Sequence, residues 1–129
     1  MSTPATDWTQ HGRGQRHPVN AWTYSARSTP TALDVDLESG DVSLVTADGK
    51  LHLLGHDGTA RRAPLPLEAG PALDWADTAI GGVVQLGPSK VGWINRDGVI
   101  QWTVDCHNSI LDVATSPFGN AVAISFVDR

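Results

Sequence analysis

The chain has 129 residues, enough for one domain that buries roughly two-thirds of the surface its unfolded form exposes. Hydrophobic residues make up 40% and charged residues 18%, a globular composition that excludes a disordered chain. A net charge of −5 argues against bulk binding to nucleic acid or anionic membrane, and no apolar run reaches the length of a membrane span.

The first 18 residues form a polar head. Gly12-Arg13-Gly14 predicts a hairpin of Ala5–His11 against Val19–Ala26, with Trp22 and Tyr24 on one face because strand side chains alternate. Ser28-Thr29-Pro30 ends that segment. A first unit over 31–66 then reads as four strands: Ala32–Leu37, Val42–Thr46, Lys50–Gly55 and Thr59–Pro64. In the first of these, Leu33, Val35 and Leu37 alternate with Asp34 and Asp36, the period of a half-buried strand. Asp48-Gly49 and Asp57-Gly58 lie between strands as hairpin signals of the kind type I′ turns favour. A second unit over 71–105 repeats the order with Ala72–Trp75, Gly82–Leu86, Lys90–Asn95 and Val99–Val104. A third, over 110–127, supplies two strands, Ile110–Thr115 and Asn120–Val127. Helical periodicity is absent, so an all-β chain is expected.

The units are copies of one another. Ala32-Leu33-Asp34, Ala72-Leu73-Asp74 and Ile110-Leu111-Asp112 recur at spacings of 40 and 38 residues. Lys50 is answered by Lys90 and Asp57-Gly58 by Asp97-Gly98, while Val19-x-x-Trp22-Thr23 returns 80 residues later as Val99-x-x-Trp102-Thr103. Such a period, with several short strands in each unit, marks stacked supersecondary modules, most often propeller blades. Ile110-x-x-Val113-Ala114-x-Ser116-Pro117-x-Gly119, followed by Ala121–Ser125, resembles the first two strands of a WD40-type blade. Asp97-Gly98-Val99-Ile100-Gln101-Trp102 is similar to the hairpin and docking tryptophan of quinoprotein-type propeller repeats. Arg62 stands where Trp102 would have its first-unit counterpart. The resemblance implies one β-propeller-like domain over 1–129, with about three four-stranded blades in the chain.

Three blades are fewer than the four to eight that close a ring, and open β edges invite unwanted pairing. The expectation is therefore a six-bladed homodimer, in which tail strands 110–127 of one chain join head strands 5–26 of the other. Further chain, or another propeller subunit, would complete the ring equally well. Charge favours self-association. Arg13, Arg16 and Arg27 against Asp7 give residues 1–31 a net +2, leaving −7 on the remainder.

Candidate chemistry is sparse. Asp34, Asp74 and Asp112 fall in the first strand of each unit, where a ring of carboxylates would suit a hard cation, or would simply accept backbone N–H groups. Cys106-His107 beside Asp105 has the residue types of a nucleophile and base, but adjacent strand residues face opposite ways. His52 and His56 are too far apart along a strand to share a metal, and His11 and His17 lie in the head. Gly87-Pro88-Ser89-Lys90 lacks the glycine spacing of a phosphate loop and reads as a turn. Arg61 and Arg62 are either a solvated pair or a contact for an anionic partner. Trp22, Trp93 and Trp102 fit between blades, whereas Trp8 and Trp75 have no counterparts and are candidates for exposed aromatic faces.

Cys106 is the only cysteine, which excludes an internal disulfide and fits a reducing, cytoplasmic setting. The amino terminus has no apolar core of signal-peptide length. The function expected from all this is a non-catalytic protein–protein interaction scaffold, with no cofactor and neither nucleic acid nor membrane as partner. The alternative is an oligomeric propeller lectin that holds carbohydrate through Trp8 or Trp75. A quinoprotein-like enzyme would need a larger ring and more acid–base groups.

Overall fold

The computed structural model of the chain describes residues 22–127. Among them there is no helix. The strands are β1 Pro30–Val35, β2 Val42–Thr46, β3 Lys50–Leu54, β4 Leu65–Pro66, β5 Ala69–Trp75, β6 Gly81–Leu86, β7 Lys90–Asn95, β8 Ile100–Asp105, β9 Ile110–Thr115 and β10 Val122–Phe126. The first eight fold as two four-stranded antiparallel meanders, β1-β2-β3-β4 and β5-β6-β7-β8, and β9 pairs β10 in a third sheet. The inner strands β1, β5 and β9 lie beside one another in that order. The architecture is that of successive β-propeller blades.

Alternation along the strands builds two cores. Val45, Leu51 and Leu53 of the first sheet meet Trp75, Val84, Leu86 and Ile94 of the second. The opposite face of the second sheet, with Ala72, Val83, Val91 and Trp93, meets Ile110 and Val113 of the third. Val45, Leu51, Val83, Val84, Val91 and Ile94 are wholly buried. Each such side chain contributes roughly 1.5–3 kcal/mol on leaving water. These contacts hold the sheets face to face.

The structural period is 40 residues throughout. The turn after each inner strand closes with the same backbone bond: Asp36 N to Asp41 O, Ala76 N to Gly81 O and Ser116 N to Ala121 O. The last ladder pairs are likewise Val35–Val42, Trp75–Gly82 and Thr115–Val122. Asp112 is therefore not the counterpart of Asp34 and Asp74. That place belongs to Ala114, which pairs Ala123 as Asp74 pairs Val83 and Asp34 pairs Ser43. The Ile-Leu-Asp triplet lies two residues earlier in its strand: Ile110 pairs Phe126 and Asp112 pairs Ser125 as Pro30 pairs Thr46 and Ala32 pairs Val45, and Leu111 bulges where Thr31 does.

Two further expectations are corrected. The fourth strand of the first unit is β4 at Leu65–Pro66, not Thr59–Pro64. Ala60 makes a lone bridge to Leu54, but Arg62 is turned toward the second sheet and Pro64 has no N–H for a ladder, so the chain rejoins β3 only at Leu65. The Asp-Gly turns are also not type I′. Only the glycines, Gly49 at φ 81°, Gly58 at 83° and Gly98 at 88°, have positive φ, because Asp57 caps Thr59 N–H through its carboxylate instead. Of the head hairpin, residues 5–21 lie outside the described residues. Residues 22–26 join no ladder.

Candidate interaction surface

The sheets are joined at their rims by a repeated device. Trp22 lies on Gly58, so closely that a Cβ there would come within 2.5 Å of the indole Cδ2. Its Nε1–H donates to the His56 carbonyl at 2.8 Å. One blade on, Arg62 does the same work. Its guanidinium lies on Gly98, with Nη1 2.7 Å from where a Cβ would stand, and Nη1 donates to the Asp97 carbonyl at 2.8 Å. Beside it, Arg61 donates to the Arg96 carbonyl at 2.7 Å and approaches Asp41 at 3.4 Å. Arg96 reaches the same Asp41 oxygen at 2.9 Å. Asp41 is nearly buried, so this cluster is screened less than an open surface pair. Arg61 and Arg62 are thus used in the seam between the first two sheets.

Near the axis the joint is a carboxylate. Asp34 Oδ2 accepts from Trp75 N–H at 2.6 Å, and Asp74 Oδ2 accepts from Thr115 N–H at 2.7 Å. Each aspartate fastens its own inner strand to the next. Burial, reinforced by Asp34 nearby, raises the Asp74 carboxyl above its ordinary value, while the Thr115 N–H works the other way. Asp112 has no such role and caps only Val113 N–H at 2.9 Å. Among the described residues no group of three or more His, Cys, Asp or Glu is gathered for a metal.

The other singled-out residues fall apart chemically. Trp75 is only 4% exposed, in the first core, which corrects the expectation of an open aromatic face. Trp8 lies outside the described residues. His107 is exposed at φ 59° and its backbone N–H binds Asp105, a bond that lowers the Asp105 carboxyl. Cys106 is half-buried against the second core, with no base directed at it among the described residues.

A network that the sequence did not suggest ties Tyr24 to the first sheet. Tyr24 O–H donates to His52 Nδ1 at 2.8 Å, His52 Nε2–H donates to Thr46 Oγ1 at 3.1 Å, and Thr46 O–H donates to Asp48 Oδ1 at 2.5 Å. In this arrangement His52 is neutral, accepting at Nδ1 and donating from Nε2. Burial holds its pKa below the ordinary 6.5, with Lys50 adding to the effect and Asp48 opposing it. The contribution of His52 to stability is therefore complete above about pH 6.5 and is lost as pH falls through the lowered value, because the unfolded chain takes up the proton first. Urea titrations at pH 7.5 and 5.5 are expected to show this loss in the native chain and a smaller one in His52→Gln. No single sequence signal links residues 28 apart; the strand alternation of Trp22 and Tyr24 was the only hint.

Among the described residues two sheet faces carry no further sheet. The outer face of the first sheet is large and apolar: Leu33 is 65% exposed and Val35 41%. With Val42, Leu44, Leu54 and Trp22 they line a cleft of about 300 Å³. The outer face of the third sheet carries small residues, a shallow and mostly apolar hollow lined by Asp112, Val113, Ala114, Ala123, Ile124 and Ser125. In both closed seams, a small-residue inner strand (Ala32 and Asp34, or Ala72 and Asp74) meets large residues of the next sheet. The two free faces are one of each type. Asp112 and Ala114 carry the same pair of residue types in reversed order.

No protein-family model matches the chain, and no curated protein does. Solved structures do match. The chain is similar to the Cps50 (Swd1) β-propeller domain of Myceliophteria thermophila, at TM-score 0.65 and 15% identity, over 81% of this chain and 33% of that one. It is similar to BBS1N, solved in complex with ARL6DN, at TM-score 0.62 and 21% identity over 77% and 32%. BamB from Moraxella catarrhalis matches at TM-score 0.58 and 22% identity over 72% and 30%. The chain spans about a third of the length of these structures. Their likeness establishes the β-propeller fold.

Proposed function

We propose that the chain is a non-catalytic protein-interaction scaffold, and that one of its partners is a second copy of itself. The observation that carries this is the mismatch of two faces among the described residues. The first sheet presents a large apolar face that no other described sheet covers, and the third presents the small-residue face that closes such seams elsewhere in the chain. Two copies joined head to tail at both ends would bury four such faces and make a six-bladed ring with two-fold symmetry. The positive head and negative body favour the same pairing. A propeller of similar fold, BBS1N, was solved bound to a protein, ARL6DN, which supports the scaffold reading in general terms.

Light scattering on the eluting chain tests it. A particle of twice 13.7 kDa at micromolar concentration is the expected result. A particle of one chain mass throughout would overturn self-pairing and leave further blades, or another propeller subunit, as the way the ring closes.

A further inference from the structure

We infer that the cleft which residues 24–27 form with the first sheet binds a small organic carboxylate, held by Arg27 and Lys50. The site lies within one chain, so it stands whether or not two copies share a ring.

The cleft has a volume of about 410 Å³, within the range of small-molecule sites. Tyr24, Ala26 and Pro64 supply apolar wall, and Arg27, Lys50 and Asp48 bring charge to it. Tyr24 donates its O–H to His52 Nδ1 at 2.8 Å and meets the imidazole edge-on, with ring centres 5.7 Å apart. That wall is therefore fixed before any ligand arrives. Asp48 is engaged by the Thr46 O–H, whereas Lys50 Nζ reaches it only at 3.9 Å, with 47% of the lysine side chain exposed. So long and open a pair holds the ammonium weakly, and Lys50 is free to turn to a ligand. Arg27 is the unusual member. Its φ is 62°, a conformation that residues with a Cβ rarely adopt, and residues strained in this way gather at ligand clamps. Among the described residues its guanidinium pairs with no carboxylate.

Charge identifies the occupant. Arg27 and Lys50 against Asp48 leave a single positive charge over. A monocarboxylate balances it. A phosphate dianion would overshoot and be repelled by Asp48, whose carboxyl the bond from Thr46 holds below the ordinary value. A guanidinium receives a carboxylate through two parallel N–H bonds, and an ammonium adds a point charge beside them. The apolar wall then favours acids that carry a hydrocarbon body. The same chemistry reaches the cleft as a free acid or as the acidic side chain of another protein.

Tyr24 is the only tyrosine, so its ring signals report on the cleft alone. The full chain, carrying isotope-labelled tyrosine, is titrated by NMR with phenylpropionate, its neutral amide, inorganic phosphate, and a short glutamate peptide capped at both ends. Phenylpropionate is expected to shift the Tyr24 signals saturably at millimolar concentration, with the amide and phosphate about tenfold weaker. Arg27→Gln and Lys50→Gln should each weaken binding roughly three- to tenfold. Lys90→Gln, at the start of β7 as Lys50 is at the start of β3, should leave it unchanged. Tighter binding of the peptide than of phenylpropionate assigns the site to an acidic side chain of a partner, and the reverse assigns it to a free acid; either result supports the site. Equal binding of the amide, tighter binding of phosphate, indifference to both charge variants, or no shift with any probe overturns it. Should Arg27→Gln fail to fold, Arg27→Gly decides the matter, because glycine takes the positive φ without strain.

Discussion

Gly81→Ala is expected to destabilise the chain by about 3–5 kcal/mol, one part from backbone strain and the larger from overlap. Gly81 sits at φ 117°, where residues with a Cβ are strained whatever the surroundings. An added Cβ would also fall on the Ile94 carbonyl oxygen and lie 2.7 Å from Asn95 Cα. Both are backbone atoms of β7, so neither can swing aside as a side-chain tip would. The melting temperature should drop by roughly 10–20 °C for a chain of this length. Gly87→Ala is the matched control. It has φ 79° but nothing within 4 Å of the added carbon, and should cost only about 1 kcal/mol. Calorimetry of the two variants separates strain from overlap, and equal losses would show that the β6–β7 approach is looser than the structure has it.

Asp34→Ala should cost about 2 kcal/mol, whereas Asp112→Ala should stay within about 0.5 kcal/mol of the native chain. Asp34 accepts from Trp75 N–H at 2.6 Å, across the seam between the first two inner strands. Removing the carboxylate leaves that donor without its acceptor beside a side chain that is 4% exposed. A charge-assisted bond lost in such a place costs more than an average one, and the loss falls on the packing of one sheet against the next. Asp112 is exposed and accepts only from its own neighbour, so water replaces what alanine removes. Urea unfolding of the two variants compares them directly. Equal losses would restore the equivalence that the Ile-Leu-Asp triplet suggests and would count against the Ala114 register.

Much of the fold could be read from residue pattern. The alternation of Leu33 and Val35 with Asp34, the Asp-Gly turns and the return of Trp22-Thr23 as Trp102-Thr103 located nine of the ten strands to within a few residues. The tenth, β4, escaped because Pro64 precedes it and Pro66 is half of a two-residue pairing too short to leave a period. The site was less legible. Arg61 and Arg62 look like a solvated pair until the second sheet is placed beside them, and Trp75 looks available until the first core closes over it.

The sequence by itself determined the unit: short strands of period two, punctuated by glycine turns and repeated at 40 residues, because alternation and positive φ are local properties of the chain. Only the tertiary structure decided what each repeated residue does. The third aspartate stands two residues before the place that Asp34 and Asp74 hold, and an arginine took the place of a tryptophan on Gly98. Both outcomes depend on which backbone donor or carbonyl the neighbouring sheet brings within 3 Å, and that distance is set by packing between units some 40 residues apart.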